Sequence, residues 1–348
     1  MPPLRAHRPV AFVLALVLAT VLAACGTSGA SVQPTIPPDA TGSLLPAATA
    51  TAAASPSASA VPAFPVTLTD DEGTKVELKQ APEQIVSLTP AETEILYALG
   101  AGDRVVGKVE DIANYPPEAK DVPVVGTFSG VDVEKIVAAG TDLVIAGGNG
   151  GTQPDAIKKL RDLKIPVLVV YAADVDGVSH DIELTGDAVG APDEASDLVA
   201  SLKAGFDQVA TATAGAAKPR VFYETGDQPS IYGIADGSVY AQMITLAGGT
   251  PITTGSTTNW EQSTEKLVTA DPELIILGDS AYGVTADAVA KRAGWGVMTA
   301  VKGKKIVGID DIVVTRPGPR LADGLRLLAA AIHPELTLGS PAPASSGG

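Results

Sequence analysis

Two acidic side chains hold matching places in a segment that this chain carries twice. Residues 134–147 read EKIVAAGTDLVIAG and residues 265–278 read EKLVTADPELIILG. Seven of the fourteen positions are identical, and most others exchange like for like. A cap-type residue stands two places ahead of each copy, Asp132 before Glu134 and Ser263 before Glu265. Each copy therefore reads as a short helix entering a buried strand, with its glutamate in the first helical turn. The helix dipole alone favours such an acid by about 0.3–1 kcal/mol. Recurrence in two copies points further, to a matched pair of surface acids that dock onto a partner with two-fold symmetry.

Bond-making chemistry has few candidates. Cys25 is the only cysteine, so no disulfide closes within the chain and no thiolate is left for catalysis or zinc elsewhere. Behind the leader the only histidines are His180 and His333, too few for a transition-metal cluster, and both are expected at the surface. Gly278-Asp279-Ser280 loosely resembles an esterase nucleophile block with His333 as a conceivable base. It lacks the strained G-x-S-x-G elbow and is the tail of the repeat. No enzyme activity, catalytic cofactor or metal site is expected. Tyr232, Tyr240 or Tyr282 could ligate a heme iron, with nothing to single one out.

The elements that would position these residues alternate. Residues 66–78, VTLTDDEGTKVEL, place two alternating runs around a turn, a hairpin signal. Short apolar strands are expected at 85–88, 104–107, 122–125 and 166–170, with helices at 89–99 and 153–163. A second half restarts with a strand at 220–223, a helix at 239–247, the second repeat copy, a strand at 305–309 and a helix at 319–332. Short apolar runs between helices imply parallel sheets covered on both faces. Residues 180–213 hold no strand and read as helix, broken only near 190–192, which suits a connecting backbone between two α/β halves.

The ends are different. Arg5, His7 and Arg8 precede an uncharged apolar run of 15 residues, 10–24, shorter than the roughly 20 needed to span a bilayer. The run ends in Leu22-Ala23-Ala24-Cys25, which resembles the bacterial lipoprotein box and implies cleavage before a lipidated Cys25. Residues 26–63 carry one charge, Asp39, amid Ala, Ser, Thr, Pro and Gly, too little apolar surface to offset chain entropy. The reading is a signal peptide at 1–24, lipidated cysteine and tether at 25–63, an N-terminal lobe at 64–179, a linking helix at 180–214, a C-terminal lobe at 215–336 and a tail at 337–348. Without Arg5 and Arg8, 22 basic residues remain of 24 against 40 acids, a net charge of −18. That balance disfavours nucleic acid and anionic headgroups.

Several segments together resemble the periplasmic ferric-siderophore and cobalamin binding proteins of ABC importers. They are Ile85-Val86-Ser87-Leu88-Thr89-Pro90 with Thr93-Glu94-Ile95, Asn114-Tyr115-Pro116-Pro117, Val125-Gly126 leading to Glu134, Asp142-Leu143-Val144-Ile145, and Arg316-Pro317-Gly318-Pro319-Arg320. The resemblance implies the class III periplasmic-binding-protein fold, two α/β lobes with mainly parallel sheets joined by one long backbone helix that permits only small closure. It implies an extracytoplasmic, lipid-anchored monomer that holds a metal chelate between its lobes, cobalamin or a ferric siderophore, and delivers it to a permease dimer with cytoplasmic ATPases. Heme as cargo, or a lipoprotein that presents its ligand to a sensor, are the alternatives.

By the same resemblance Glu134 and Glu265 would dock onto permease arginines. Phe128 and Trp260 fall where two family tryptophans sit, Gly147 where a third would be, and Ile112 replaces a family tyrosine. Ligand contacts are expected from Pro90, Phe128, Ser129, Gly147, Tyr240, Trp260 and Arg316. Either large ring could instead be core. Arg316 could hold an anionic siderophore or a corrinoid phosphate or amide, or pair with Asp310 or Asp311. An aromatic content of 4% makes the pocket wall thin in rings. Trp260 is expected to lack partners in its small, polar loop, and Trp295 to lie far from the ligand.

Overall fold

A computed structural model describes residues 64–338, apart from Phe128. The leader, Cys25, the tether, Phe128 and residues 339–348 lie outside the described residues.

The expected hairpin is β1 (Val66–Thr69) with β2 (Lys75–Leu78), antiparallel. The N-terminal half continues through β3 (Ile85–Ser87), α1 (Pro90–Ala98), β4 (Val105–Val109), β5 (Val124–Thr127), β6 (Gly130–Val131), α2 (Val133–Ala138), β7 (Leu143–Gly147), α3 (Pro154–Asp162) and β8 (Val167–Val170). Its sheet has the order β6-β5-β4-β3-β7-β8. All neighbours are parallel except the short β6 against β5. The alternation of apolar runs and helices foretold the parallel strands; the two-residue β6 carries no such pattern.

Two helices follow, α4 (Val175–Val189) and α5 (Pro192–Thr213), then the second half: β9 (Arg220–Glu224), α6 (Val239–Leu246), β10 (Thr250–Pro251), α7 (Thr264–Ala270), β11 (Leu274–Leu277), α8 (Ala286–Ala290), α9 (Thr299–Lys302), β12 (Ile306–Gly308), α10 (Asp311–Thr315) and α11 (Leu321–Ile332). Here the sheet is all parallel in the order β10-β9-β11-β12. The repeat reappears as α2–β7 and α7–β11. Asp132 and Ser263 cap their helices through the amides of Lys135 and Lys266, and both strands are wholly buried.

The connection read as residues 180–214 starts earlier and divides. Gly190 ends α4 with φ of 78°, a left-handed value that glycine adopts without strain, and Pro192 restarts the chain as α5. The long backbone helix is therefore α5, 22 residues, and α4 packs beside it. A methyl group on Gly186 of α4 would stand 2.4 Å from Ala195 Cβ, and one on Gly205 of α5 2.7 Å from Ala322 Cβ of α11. These bare positions let three helices meet at backbone distance.

One apolar core runs through both halves. It joins Ile85, Leu96, Ile145 and Leu168 of the first to Val221, Ile244, Ile276 and Leu325 of the second, by way of Ile182, Val199 and Leu202 on α4 and α5. Separate cores lie under the outer face of each sheet. No helix among the described residues is long and apolar enough to cross a membrane.

Replacing Gly205 by Ala tests the packing of α5. The substitution should gain about 1 kcal/mol of helix propensity yet lose about 1–3 kcal/mol to overpacking, so urea unfolding should show net destabilisation. Ala322→Gly in the same chain should restore part of it. A stabilised Gly205→Ala protein would mean that α5 and α11 are less tightly apposed.

Candidate functional site

The carboxyl ends of parallel strands are where open α/β sheets bind ligands, and a cavity of about 440 Å³ lies there. The first half supplies Thr89 to Glu92 after β3, Asp111 and Ile112 after β4, Gly147, Gly148, Asn149 and Gly151 at the end of β7, and Tyr171 and Ala172 after β8. The second half faces them with Tyr282 and with Asp311, Ile312, Thr315, Arg316 and Pro317. A wider groove of about 780 Å³ runs along α5 and α6, lined by Phe206, Asp236, Gln242 and others, and meets none of these strand ends.

Of the residues expected to touch ligand, Pro90, Gly147 and Arg316 stand on the cavity wall. Ile112, read as a substituted tyrosine, is there too, 58% exposed. Gly147 cannot carry the ring that its family position would hold, because a Cβ there would come 2.7 Å from Thr89 Cγ2. Ser129, Tyr240 and Trp260 are not on that wall. Ser129 is exposed on the β5–β6 turn, where its Oγ lies 2.8 Å from Thr127 Oγ1. Trp260 is half-buried, its ring 5.5 Å from that of Tyr240 at 76°, and Tyr240 stacks edge-on with Tyr223 at 5.6 Å. The indole therefore has the partner its loop could not offer. Trp295 is buried in the outer core of the second half, edge-on to Phe222 and 4.7 Å from the Arg292 guanidinium.

Arg316 stands on the cavity wall but pairs with neither Asp310 nor Asp311. Its fork reaches across to the first half. Nη1 donates to Glu94 Oε1 at 2.6 Å and Asp111 Oδ2 at 3.0 Å, and Nη2 donates to Asp111 Oδ1 at 2.7 Å. Arg320 joins it, with Nε and Nη2 donating to both oxygens of Glu94, and lies 3.7 Å over the Tyr115 ring. Burial pushes the Asp111 carboxyl up, but hydrogen bonds from Arg316 and from the Ala113 and Tyr115 amides hold it below its usual range. Glu94, Tyr115, Arg316 and Arg320 belong to three of the segments that carried the family resemblance; the structure joins them in one charged bridge between the lobes.

Behind Pro90 the wall turns acidic. Glu92 is fully buried and accepts a hydrogen bond from Thr185 Oγ1 of α4 at 3.0 Å. Burial pushes its carboxyl up to about 8, against the Thr185 bond and with Asp71 adding to the rise. Asp181, also on α4, is 4% exposed, and its Oδ1 has no hydrogen-bond partner. Burial, then Glu92 and Asp71, push it up to about 9. Asp311 Oδ1 accepts from the Tyr223 hydroxyl at 2.6 Å, and burial raises this carboxyl as well. Neither Glu92 nor Asp181 was singled out in the sequence, since a lone acid on a helix looks like a solvated one.

The remaining candidates lie apart. Glu134 and Glu265 are exposed in the first turns of α2 and α7, and neither forms an ion pair among the described residues. His180 is exposed as expected and lies 3.4 Å from Asp71. His333 is not a surface residue: it is 2% exposed, because α11 ends against the turn at Gly248, whose carbonyl lies 3.3 Å from Nε2. Ser280 Oγ donates to the Ile309 carbonyl instead. Among the described residues no cluster of His, Cys, Asp and Glu is arranged to hold a metal ion.

Residues 85–313 match the model of a family described as periplasmic binding protein. The ABC transporter substrate-binding lipoprotein YvrC of Bacillus subtilis is 38% identical over 278 residues, covering 78% of this chain and 87% of that protein. The periplasmic vitamin B12 binding protein BtuF of Vibrio cholerae superposes with a TM-score of 0.63 at 26% identity, over 72% of this chain and 96% of its own. The periplasmic heme-binding protein RhuT of Roseiflexus sp. RS-1 superposes with a TM-score of 0.64 at 26% identity, over 72% and 98%.

Two outcomes test this geometry. Arg316→Ala would leave Glu94 and Asp111 short of charge where they are 3% and 7% exposed, and should cost about 3–5 kcal/mol in urea unfolding; a loss under 1 kcal/mol would mean that the bridge is solvated. The raised carboxyls predict the pH dependence. Between about 4, where they titrate unfolded, and about 8 to 9, where Glu92 and Asp181 titrate folded, the folded state holds protons that the unfolded chain has released. Stability from these groups should therefore fall as pH rises through that window. Thermal melts of Glu92→Gln should slope less with pH; an unchanged slope would show that Glu92 is ionised in the fold.

Proposed function

The chain belongs to the periplasmic binding protein family, and from that premise we propose that it is an extracytoplasmic solute-binding protein that captures a metal chelate between its lobes and hands it to an ABC permease. The observation that carries this reading is the cavity at the carboxyl ends of both sheets, with a charged bridge across it and a shared core behind it. A corrinoid or ferric siderophore is the cargo we favour, in keeping with the vitamin B12 binding relative. Heme is the second reading: Tyr282 is the one phenol of Tyr232, Tyr240 and Tyr282 on the cavity wall, 73% exposed, and could reach an iron. Pro90, Ile112, Gly147 and Arg316 would border the cargo, with Tyr240 meeting Thr315 from behind and Trp260 packed on Tyr240. No catalysis is assigned.

Glu134 and Glu265 are proposed to orient the protein on the permease, since exposed charge pairs at a rim act mainly on orientation and on-rate. Cys25 is proposed to carry the lipid that keeps the protein at the membrane. Cargo is identified by native mass spectrometry and the visible spectrum of protein purified from its own host; protein that carries no chelate and binds none added would overturn the reading. In cells, Glu134→Ala with Glu265→Ala should abolish uptake with binding unchanged within a few fold, and Cys25→Ser should release the protein or leave it uncleaved. Normal uptake by the double variant, or processed Cys25→Ser protein still at the membrane, would sink the respective assignment.

A further inference from the structure

The charges around the cavity do not cancel evenly. Among the described residues Arg316 is the only basic one on its wall, and both of its terminal nitrogens are committed to Glu94 and Asp111. Arg320, just outside, is committed to Glu94. Two cations thus face two carboxylates, and no other basic side chain among the described residues lines the cavity. Glu92, Asp181 and Asp311 remain on the wall without a basic partner among the described residues. Glu92 is met by a hydroxyl on α4 and Asp311 by the Tyr223 phenol. Asp71, on the β1–β2 hairpin, closes the same side; it already accepts from the Tyr171 amide and lies 3.4 Å from His180 Nε2. Asp181 Oδ1 has no hydrogen-bond partner among the described residues, and the carboxyl otherwise meets that of Asp71, another acid. A buried carboxyl oxygen with no donor is costly unless something supplies one, and here it belongs to a residue of the cavity wall.

We propose that Asp181, with Glu92 beside it, seats a positively charged group of the cargo, so that the protein selects cationic over neutral or anionic chelates. This rests on the cavity being the cargo site. A cation would pair with carboxyls that lack a charged partner. A polyanionic cargo would find no free cation to offset the loss of its hydration, since Arg316 would first have to abandon Glu94 and Asp111. Burial first, then the neighbouring acids, pushes both carboxyls up, so in the empty cavity they hold protons that a seated cation would displace. Asp181 would thereby act as a specificity residue in direct contact with cargo.

The test uses the folded protein and pairs of probes that differ by a single charge: aquocobalamin against cyanocobalamin, and ferrioxamine B against its N-acetyl derivative, with hemin and a ferric tris-catecholate as anions. In whichever pair binds, the cationic member should bind at least about tenfold tighter, the scale of one charge-assisted hydrogen bond. Asp181→Asn should bring that ratio close to one while the neutral member keeps its affinity. Glu92→Gln is the second variant should Asp181→Asn fold poorly. Equal binding within a pair, an unchanged ratio in the folded variants, or binding of the anions alone would overturn the proposal and leave the solute-binding reading standing. If no probe of any charge binds, and host-purified protein carries no chelate, both fall together.

Discussion

Everything in this molecule depends on an apolar core that its two lobes share. Strands of both sheets share one apolar cluster with α4, α5 and α11, and its side chains belong to neither lobe alone. The lobes cannot rotate far about such a core without exposing it, and exposure costs about 25 cal/mol for each Å² of apolar surface. The close approaches at Gly186 and Gly205 reinforce this, since helices in backbone contact have little room to slide. The cavity is the consequence: it opens on the strand ends, at the margin of the core, where polar side chains can face each other without interrupting it.

Across that margin the lobes are joined a second time, by charge. Glu94 and Asp111 are nearly buried, and each depends on an arginine from the other lobe. A network of this kind adds little net stability relative to apolar packing but makes any single deletion costly. It also fixes the position of Arg316 and so removes the one cation from the cavity wall. The acidic floor and the charged bridge are therefore a single electrostatic arrangement: the bridge uses the positive charge that Glu92 and Asp181 lack.

The sequence showed the frame more readily than the site. Caps at Asp132 and Ser263, strands such as LVIAG and LIIL, and the hairpin at 66–78 are local signals, and each became the element it implied. The two-helix connection was visible in outline through Gly190 and Pro192, though α4 begins at Val175. The site depends on contacts between residues more than 200 positions apart, 222 for Glu94 and Arg316, which no local pattern encodes. Trp260 looked unpartnered because Tyr240 comes from α6, outside its own loop. His333 looked terminal and hence exposed, while α11 carries it back onto Gly248. Asp181 was invisible for the same reason: its burial is set by α1 and the hairpin, not by its own helix.

The stiffness of α5 also bears on how a loaded molecule is told from an empty one. If the lobes travel as little as their shared core implies, the gap between the α2 and α7 tips would be a fixed gauge and would carry almost no news of cargo. Cargo held as proposed would instead change the cavity mouth, where Ile112 and Tyr282 are exposed at 58% and 73%. A partner resting on both tips would read occupancy by touch, from the rim of the cargo itself, rather than from a change in the distance between its footholds.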